Sequence, residues 1–463
     1  MSVRGPLGAT PQSAGFDLSP GAIGTREAAS SRRGLFGLAG LLLCGLLIAV
    51  SAAGTDPLLP ESIRPVPASM AGAFASAGLN LHWGGVMIVL TLMFGSYMIV
   101  VAAAGQLSGR AVLMAIAGLH ALVLLAPPLI STDIFSYQAY ARMGALYGTN
   151  PYLNGPHAIF LDPVFPYIGA RWSYTPSVYG PVFTTLSYIL APLSIAASAV
   201  AYKLIAAVSS LGLVALVWNA ARLRGINPVK AAALVGLNPL LVMYGVGGGH
   251  NDLVMLVVMA GAMYAILANR ERLGGGLSIL AAVGIKLTSG ILLPFAFAAG
   301  GPRAGSRRRN LLIGAGAAFG LISSLAFVLF GFGAAKLVVT MQQSQSVGSD
   351  YSISGFMVNR LGLSSIGHVV GYLLAAAFAG SAVWLLRRVW RGTMDWIAAA
   401  GWATVAMLVS ASALMPWYIA WLLPLAALGG DRRLFRVAIG LTGVVQAIQM
   451  LGYIPHGGSL VGF

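Results

Sequence analysis

Eight runs of apolar residues in this chain are each long enough to cross a lipid bilayer as a helix. They lie near residues 35–53, 80–104, 111–130, 201–221, 310–332, 366–389, 393–413 and 434–452. Crossing the hydrocarbon core takes about 20 apolar residues, and a helix satisfies its own backbone hydrogen bonds there. Only 8% of the residues are charged, against roughly a quarter in soluble domains. The sequence therefore predicts an all-α polytopic membrane protein.

Shorter apolar runs lie between these and predict half-span hairpins instead of full crossings. They are found near residues 231–244, 252–268, 275–287, 288–300 and 415–429. Together the runs predict about thirteen membrane segments. Residues 1–34, rich in Gly, Ser, Pro and Ala, predict a disordered cytoplasmic tail before one transmembrane domain over residues 35–463. The first run is interpreted as a retained span because it lacks a convincing A-x-A cleavage signal.

The net charge of +16 is explained by the orientation of the chain in the membrane. The basic residues sit in short loops, which excludes the single solvated basic face typical of nucleic-acid binding. With the N-terminus in the cytoplasm, 20 of the 27 Lys and Arg residues fall inside and 7 outside, as the positive-inside rule requires. This sorting needs residues 275–300 to form a hairpin with its outer tip at Lys286, and residues 182–200 to form an interfacial helix. The long external loops are then residues 54–79, 131–200 and 333–365.

Carboxylates on the outer side are the candidates for acid or base chemistry. Six of the eleven fall there: Asp56, Glu61, Asp133, Asp162, Asp252 and Asp350. The first two belong to a Pro-rich connector and are interpreted as solvated loop charges. Asp133 follows Ser131 and Thr132, which can cap a helix that ends at Tyr147.

The spacing within that helix places an acid beside two phenols. Asp133, Tyr137, Tyr140 and Gly144 fall on one helical face. Asp133 could instead have a purely structural role, because an acid in the first turn stabilises the helix dipole. The combination favours a sugar site, because aromatic faces stack on pyranose C–H groups and carboxylates accept hydroxyl protons.

The stretch NPLLVMYGVGGGHND, residues 238–252, forms the predicted outer turn of a short hairpin. Its glycines allow close approach of the backbone, and His250, Asn251 and Asp252 open the next segment. Asn251 and Asp252 could instead have a purely structural role as caps of the next helix. The adjacent histidine favours a site, because an ionisable group here is costly unless it faces a polar cavity.

The stretch GIKLTSGILLPF, residues 284–295, carries Lys286 as the only charge in a long apolar region. A lysine that extends to the membrane surface is the structural alternative. Its predicted position at the outer tip, level with Asp252, suits the binding of a phosphate. For Trp417 and Tyr418 in MPWY, the structural interpretation is an aromatic belt at the membrane interface.

No cofactor is predicted from the sequence. The histidines show no metal-ligand spacing, and no GxGxxG, P-loop, HExxH or GxSxG with triad context is present. Cys44 is the single cysteine, which excludes disulfides within the chain. Participation of a divalent metal stays open.

Motifs along the chain follow one another in a characteristic order. They are TDIFSYQAYAR with GTNPY, WSYTPSVYGP, NPLLVMYGVGGGHND, GIKLTSG and MPWYIAWLLPL. The series resembles the GT-C superfamily of polyprenyl-phosphate-sugar-dependent glycosyltransferases. It is most similar to the actinobacterial polyprenol-phosphomannose-dependent α-1,6-mannopyranosyltransferases, over nearly the whole chain after residue 35. The resemblance implies a GT-C fold with surface helices in loop 131–200 and an active site on the extracytoplasmic face of the plasma membrane.

The resemblance also implies roles for individual residues. Asp133 matches the catalytic acid of the first large external loop, and Lys286 with Arg142 or Arg171 would hold the donor phosphate. The residues expected to bind sugar or acceptor are Tyr137, Tyr140, Tyr152, Tyr174, Tyr179, His250, Asn251, Asp252, Trp417 and Tyr418. One departure is that this loop follows the third predicted span, where many GT-C enzymes have it after the first. Only Asp162 matches the family's second loop acid, and its role stays open, as does that of Asp350.

The chemistry of the residues agrees with this resemblance. Inverting displacement at an anomeric carbon needs a base for the acceptor hydroxyl, cations for the departing phosphate and a dry pocket. The expected function is therefore transfer of mannose from polyprenyl-phosphate mannose to a glycolipid or mannan acceptor, with Asp133 as base. The expected surroundings are membrane lipids, with no nucleic-acid partner. The alternative is a transporter or flippase of lipid-linked glycans, which predicts inverted repeats and polar residues at the bilayer midplane.

Overall fold

The computed structural model describes the backbone of residues 20–53, 70, 72–346 and 348–453. Side chains are described within residues 31–53, 70, 72–170, 172–345 and 348–450. The regular elements in these ranges are all helical, which confirms the predicted all-α class. Most of the predicted external loop 54–79, with Asp56 and Glu61, lies outside the described residues.

Seventeen α-helices follow one another along the described chain. They are α1 Pro20–Ala52, α2 His82–Ala103, α3 Gly109–Leu125, α4 Asp133–Tyr147, α5 Pro181–Ser187, α6 Ile195–Leu223, α7 Pro228–Gly236, α8 Asp252–Leu267, α9 Glu271–Ile279, α10 Leu292–Ala298, α11 Gly305–Phe330, α12 Leu337–Ser346, α13 Ile353–Asn359, α14 Ser364–Trp390, α15 Trp396–Ser410, α16 Leu423–Leu428 and α17 Arg432–Tyr453. Leu241–Val246 and Leu280–Ile285 are π-helical, and Leu287–Ile291 and Pro416–Trp421 are 3₁₀-helical.

Several of these helices are long and apolar enough to cross a membrane. In the described part of the chain they are Ser31–Ala52, His82–Ala103, Ile195–Leu223, Gly305–Gln345 and Ser364–Trp390. This confirms a polytopic membrane protein. The predicted spans near 111–130 and 393–413 are the shorter helices α3 and α15, of 17 and 15 residues. The count of about thirteen segments stays a prediction.

Two boundaries differ from those predicted. Helix α1 begins at Pro20, within the segment 1–34 predicted to be disordered, and residues 1–19 lie outside the described residues. No proline lies between Pro20 and the apolar run. The helix can therefore continue towards the N-terminus, because each added residue contributes one backbone hydrogen bond. The predicted interfacial helix 182–200 is divided between α5 and α6. Helix α6 begins at Ile195, because Ser194 Oγ caps it there.

The helical path of segment 275–300 is interrupted where the sequence predicts the tip of a hairpin. Lys286 has an extended backbone, with φ −154° and ψ 120°, between helical residues on either side. The tip is held by a close approach of another loop, in which Gly180 N donates to Ile285 O at 2.8 Å. A Cβ on Gly180 would lie 2.3 Å from the Gly284 carbonyl carbon, so only glycine fits here.

We expect Gly180→Ala to lower the thermal stability of the protein and its activity together. The added methyl group must displace one of two backbones, and such overpacking costs about 1–3 kcal/mol. Thermal melting of the detergent-solubilised protein measures the effect. Gly316→Ala is the matched control, because a Cβ there meets nothing within 4 Å. Equal melting temperatures for the two variants would contradict the close packing at Gly180.

Ion pairs in the described part of the chain join residues that the sequence sorts to the same side. On the predicted inner side they are Arg224–Asp395 and Arg307–Glu271, and on the outer side Arg142–Asp162, Lys286–Asp252 and Arg360–Asp350. None of these pairs connects an inner to an outer residue. The pairing agrees with the predicted division of the loops, and the orientation relative to the cytoplasm stays a prediction.

Candidate functional site

Helix α4 begins at the acid that the sequence singles out. Ser131 Oγ accepts from Asp133 N at 3.2 Å, whereas Thr132, the residue before the helix, makes no side-chain capping bond. The helix ends at Tyr147, as predicted, because Gly148 adopts the left-handed conformation, with φ 61°. Of the two candidate caps, Ser131 bonds the first backbone N–H of the helix, and Thr132 bonds none.

The glycine-rich turn brings a second set of polar residues against α4. After the π-helix Leu241–Val246, His250 N donates to Gly245 O at 2.9 Å, and α8 starts at Asp252. Gly249 has φ 64°, and a Cβ there would lie 2.8 Å from Ile134 Cδ1. The left-handed backbone and the close packing against α4 both favour glycine at this position.

An imidazole stands between two carboxylates at the centre of the site. His250 Nδ1 lies 3.4 Å from Asp133 Oδ2 and 3.9 Å from Asp252 Oδ2. The histidine is fully buried, and its ring stacks on Trp417 with centroids 4.1 Å apart. His250 thus lies between an acid on α4 and an acid on α8.

The second of these acids is fully engaged. Asp252 accepts from Lys286 Nζ at 2.8 and 2.9 Å and from Trp421 Nε1 at 2.6 Å. The ammonium also lies over the rings of Tyr418 and Trp421, 5.1 and 5.4 Å from their centroids. Both charged groups are buried, so each requires the other as a partner.

The first acid is comparatively free. The Asp133 side chain is 22% exposed, whereas that of Asp252 is 2% exposed. Among the described side chains, the only cationic or potentially cationic group that pairs with Asp133 is the His250 ring. Asp252 is therefore fixed by its partners within the protein, and Asp133 is accessible to a reacting group.

Aromatic rings surround this acid on the α4 side. Tyr137 meets Tyr179 edge-on at 4.8 Å, and its hydroxyl donates to Asn251 Oδ1 at 3.3 Å. Burial first, and then the nearby Asp133 and Asp252, raise the pKa of Tyr137 well above its ordinary value. Tyr137 therefore stays a neutral phenol. Tyr140 lies one turn further on and donates to a backbone carbonyl, Thr175 O, at 2.7 Å.

Several polar groups in the site are buried with no described partner. They are His250 Nε2, Asn251 Nδ2 and Trp417 Nε1. A buried nitrogen left without a hydrogen bond is costly in a folded protein. These three groups are therefore the candidates to bind the hydroxyls of a sugar.

Arg142 lies away from this cluster, which corrects its predicted role as a phosphate ligand. It follows Asp133 by nine residues, about two and a half turns, and so projects from the opposite face of α4. Its Nε donates to both oxygens of Asp162 at 2.9 Å, and Nη1 donates to Ala191 O at 2.8 Å. Tyr147 also donates to Asp162 at 2.8 Å. Arg142 and Asp162 thus tie the external loop to α4.

Two other predicted residues, Tyr174 and Tyr152, lie outside the cluster. Tyr174 is 72% exposed and packs on the His157 ring at 4.5 Å. Tyr152 is buried beside Phe330, and its hydroxyl donates to Tyr179 O at 2.7 Å. It therefore helps to fix the backbone of Tyr179, whose ring packs on Tyr137. The side chain of Arg171 lies outside the described residues.

The structure also adds residues that the sequence reasoning missed. Trp421 bonds Asp252, and Tyr202 packs on Tyr137 with ring centroids 5.6 Å apart. Trp421 follows Trp417 by four residues in one motif, and this spacing was an available signal. No group of three or more His, Cys, Asp or Glu suited to a metal ion occurs among the described residues.

Comparison with known proteins adds independent information about the chain. A family model described as alpha-(1->6)-mannopyranosyltransferase, N-terminal domain, matches residues 31–300, and one described as MptB C-terminal domain matches residues 346–462. Alpha-(1->6)-mannopyranosyltransferase A of Mycobacterium tuberculosis is 28% identical over 441 residues, which is 88% of this chain and 82% of the relative. Alpha-(1->6)-mannopyranosyltransferase B of Corynebacterium glutamicum is 27% identical, over 68% of this chain and 58% of the relative. No solved structure matches.

Proposed function

This chain belongs to the alpha-(1->6)-mannopyranosyltransferase family, and on that premise we propose that it moves mannose from polyprenyl-phosphate mannose to a mannoside acceptor. Its enzymatic activity is mannosyl transfer, which favours an enzyme over the alternative of a transporter or flippase. The donor, the acceptor and the chemistry below are our proposal.

The difference between the two carboxylates carries the proposed mechanism. Asp252 accepts hydrogen bonds from Lys286 and Trp421, whereas Asp133 is partly exposed and, among the described side chains, has no Lys or Arg as an ion-pair partner. Asp133 is the base that takes the proton of the acceptor hydroxyl. The acceptor oxygen then bonds to the anomeric carbon as the bond from that carbon to the phosphate oxygen breaks. A single displacement of this kind inverts the anomeric configuration.

Lys286 is the proposed partner of the departing phosphate. An ammonium has three donors, and two of its contacts in the structure go to the oxygens of Asp252. The remaining donor can reach a phosphate oxygen while Asp252 fixes the position of the nitrogen. Arg171, which belongs to the same external loop as Asp133, remains proposed as a second phosphate ligand, and Arg142 does not.

The unpaired nitrogens of His250, Asn251 and Trp417 are proposed to bind hydroxyls of the transferred sugar. They belong to fully or largely buried residues around Asp133, where a hydrogen bond to a ligand replaces one that water cannot provide. The Trp417 and Tyr179 rings supply apolar faces for the pyranose. We place this site on the extracytoplasmic side, because Asp133 and Lys286 both fall outside in the charge-based topology.

Transfer in membranes tests the proposed donor. Membranes containing the chain are given radiolabelled polyprenyl-phosphate mannose and a synthetic α-mannoside, and the product is digested with a linkage-specific α-mannosidase. We expect a labelled α-(1→6)-extended mannoside from this donor and none from a nucleotide-linked mannose. The matched control is membrane from cells with the empty vector. Transfer from the nucleotide sugar alone would overturn the proposed donor.

A further inference from the structure

Helix α6 carries one lysine inside its membrane-crossing stretch, and that lysine is almost completely buried. Lys203 lies in the span Ile195–Leu223, and 1% of its surface is exposed. An ammonium group in such a place is costly unless fixed partners replace water. Its partners in the structure are backbone carbonyls, which makes it different in kind from Lys286.

The ammonium binds the end of helix α3. Lys203 Nζ lies 2.7 Å from Val123 O and 3.0 Å from Pro127 O, and it also donates to Ala126 O. Residue 127 would bond the Val123 carbonyl in a continued helix, but it is a proline and has no N–H. Three carbonyls occupy the three donors of the ammonium. The Lys203 side chain therefore joins helix α6 to the backbone at the end of α3 and has no donor left for a substrate.

The segment that Lys203 holds leads directly into the site. This connector, residues 126–132, is also held at Leu129, whose N–H donates to Gly247 O at 2.9 Å. Directly after these hydrogen bonds, Ile130 has φ 58°, a left-handed conformation that β-branched residues rarely adopt. Such a conformation persists only where the surroundings impose it. The connector is thus fixed from both sides immediately before α4 begins.

The same turn of α6 also contacts the other half of the site. A Cβ on Gly249 would lie 3.5 Å from Lys203 N, and the neighbouring Tyr202 packs on Tyr137. The glycine-rich turn that presents His250 and the connector that presents the α4 acid therefore share one support.

We infer that Lys203 is a positioning residue for the reaction: through the carbonyls of Val123, Ala126 and Pro127 it joins the end of α3 to the start of the connector 126–132, and so holds Asp133 beside His250. This inference rests on the proposed function, because Asp133 is the base there. Lys203 touches no substrate and donates no proton. Its contribution is the orientation of the base, which is lost when the connector is released.

Steady-state kinetics of Lys203→Met in purified full-length protein tests the inference. Methionine has a similar length and no donor, so the three carbonyls lose their tie. We expect kcat for mannosyl transfer to fall about tenfold to a hundredfold, since a misplacement of about 1 Å can cost a factor of 10². The donor KM is expected to stay within about twofold, because Lys203 does not face the donor. Lys203→Arg, which keeps charge and donors, is expected to retain more activity than Lys203→Met.

A second buried hydrogen bond between the same two helices provides the matched control. Ser210 of α6 lies 2.8 Å from His120 Nε2 of α3, and both residues are buried away from the connector. Ser210→Ala is expected to lower the melting temperature and to leave kcat unchanged. If Lys203→Met does not accumulate in the membrane, Lys203→Gln, with two remaining donors, replaces it in the comparison.

The outcomes separate this inference from the proposed function. Wild-type kcat and donor KM in Lys203→Met would overturn the positioning role, and so would a loss of kcat no larger than that of Ser210→Ala at an equal loss of melting temperature. Failure of the proposed function is detected separately: Asp133→Asn would then keep its turnover, or the wild-type chain would not use the polyprenyl-phosphate donor.

Discussion

Asp133→Asn is expected to lower kcat for mannosyl transfer by a factor of about 10³, within the range of 10² to 10⁴ typical of a lost general base. Asparagine keeps the size of the side chain and cannot accept the proton of the acceptor hydroxyl. Its neighbours His250 and Tyr137 keep their packing, so the melting temperature is expected to change little. Turnover at saturating donor and acceptor, together with thermal melting, measures both effects.

Asp350→Asn is the matched control for this experiment. Asp350 is also an outer-side carboxylate by the charge-based topology, but it lies at a different place in the fold and pairs with Arg360 at 2.6 Å. Its loss is expected to leave kcat within about twofold, because exposed ion pairs contribute little. Full turnover by Asp133→Asn would refute the assignment of the base.

Asp252→Ala is expected to destabilise the protein by about 3–5 kcal/mol, the cost of leaving one partner of a buried ion pair alone. The Lys286 ammonium would remain over two aromatic rings with no carboxylate, and Trp421 would lose its acceptor. Lys286→Met should have a similar effect, because it leaves the Asp252 carboxylate uncompensated. Thermal melting in detergent measures both variants.

A double variant separates the structural part of this pair from its part in catalysis. Asp252→Asn with Lys286→Met removes both charges and keeps two side chains of similar size. We expect most of the lost stability to return, since a neutral pair pays no desolvation of ions. Mannosyl transfer is expected to stay low, because the proposed cation for the departing phosphate is gone. Recovery of transfer together with stability would show that the pair only supports the fold.

The helix α4 illustrates how much could be predicted from the sequence. Its start at Asp133 and its end at Tyr147 follow from local signals, namely Ser131, which bonds the backbone N–H of Asp133, and Gly148, which ends the helix. The other motifs lie far apart in the sequence, and they were nevertheless predicted to belong to one site. Family resemblance grouped them, and the structure then brought His250, Lys286 and Trp417 within contact of one another or of a shared partner.

Arg142 illustrates what such reasoning could not decide. Resemblance and loop position made it a phosphate ligand, although its spacing from Asp133 already put the two on opposite faces of α4. Its actual partner, Asp162, is 20 residues away and is brought near by a loop of short 3₁₀ turns. The path of such a loop depends on packing with the rest of the chain, and local sequence does not specify it.

By itself the sequence determined the class of the protein, because the length of an apolar run and the need to satisfy backbone hydrogen bonds in lipid leave few other folds. It also determined which acidic, basic and aromatic residues were available for chemistry. The tertiary structure decided which carboxylate is free. Asp133 and Asp252 are both acids at helix starts, and they differ only in their neighbours. Lys286 and Trp421 reach Asp252 and not Asp133, and that difference arises from contacts between distant segments.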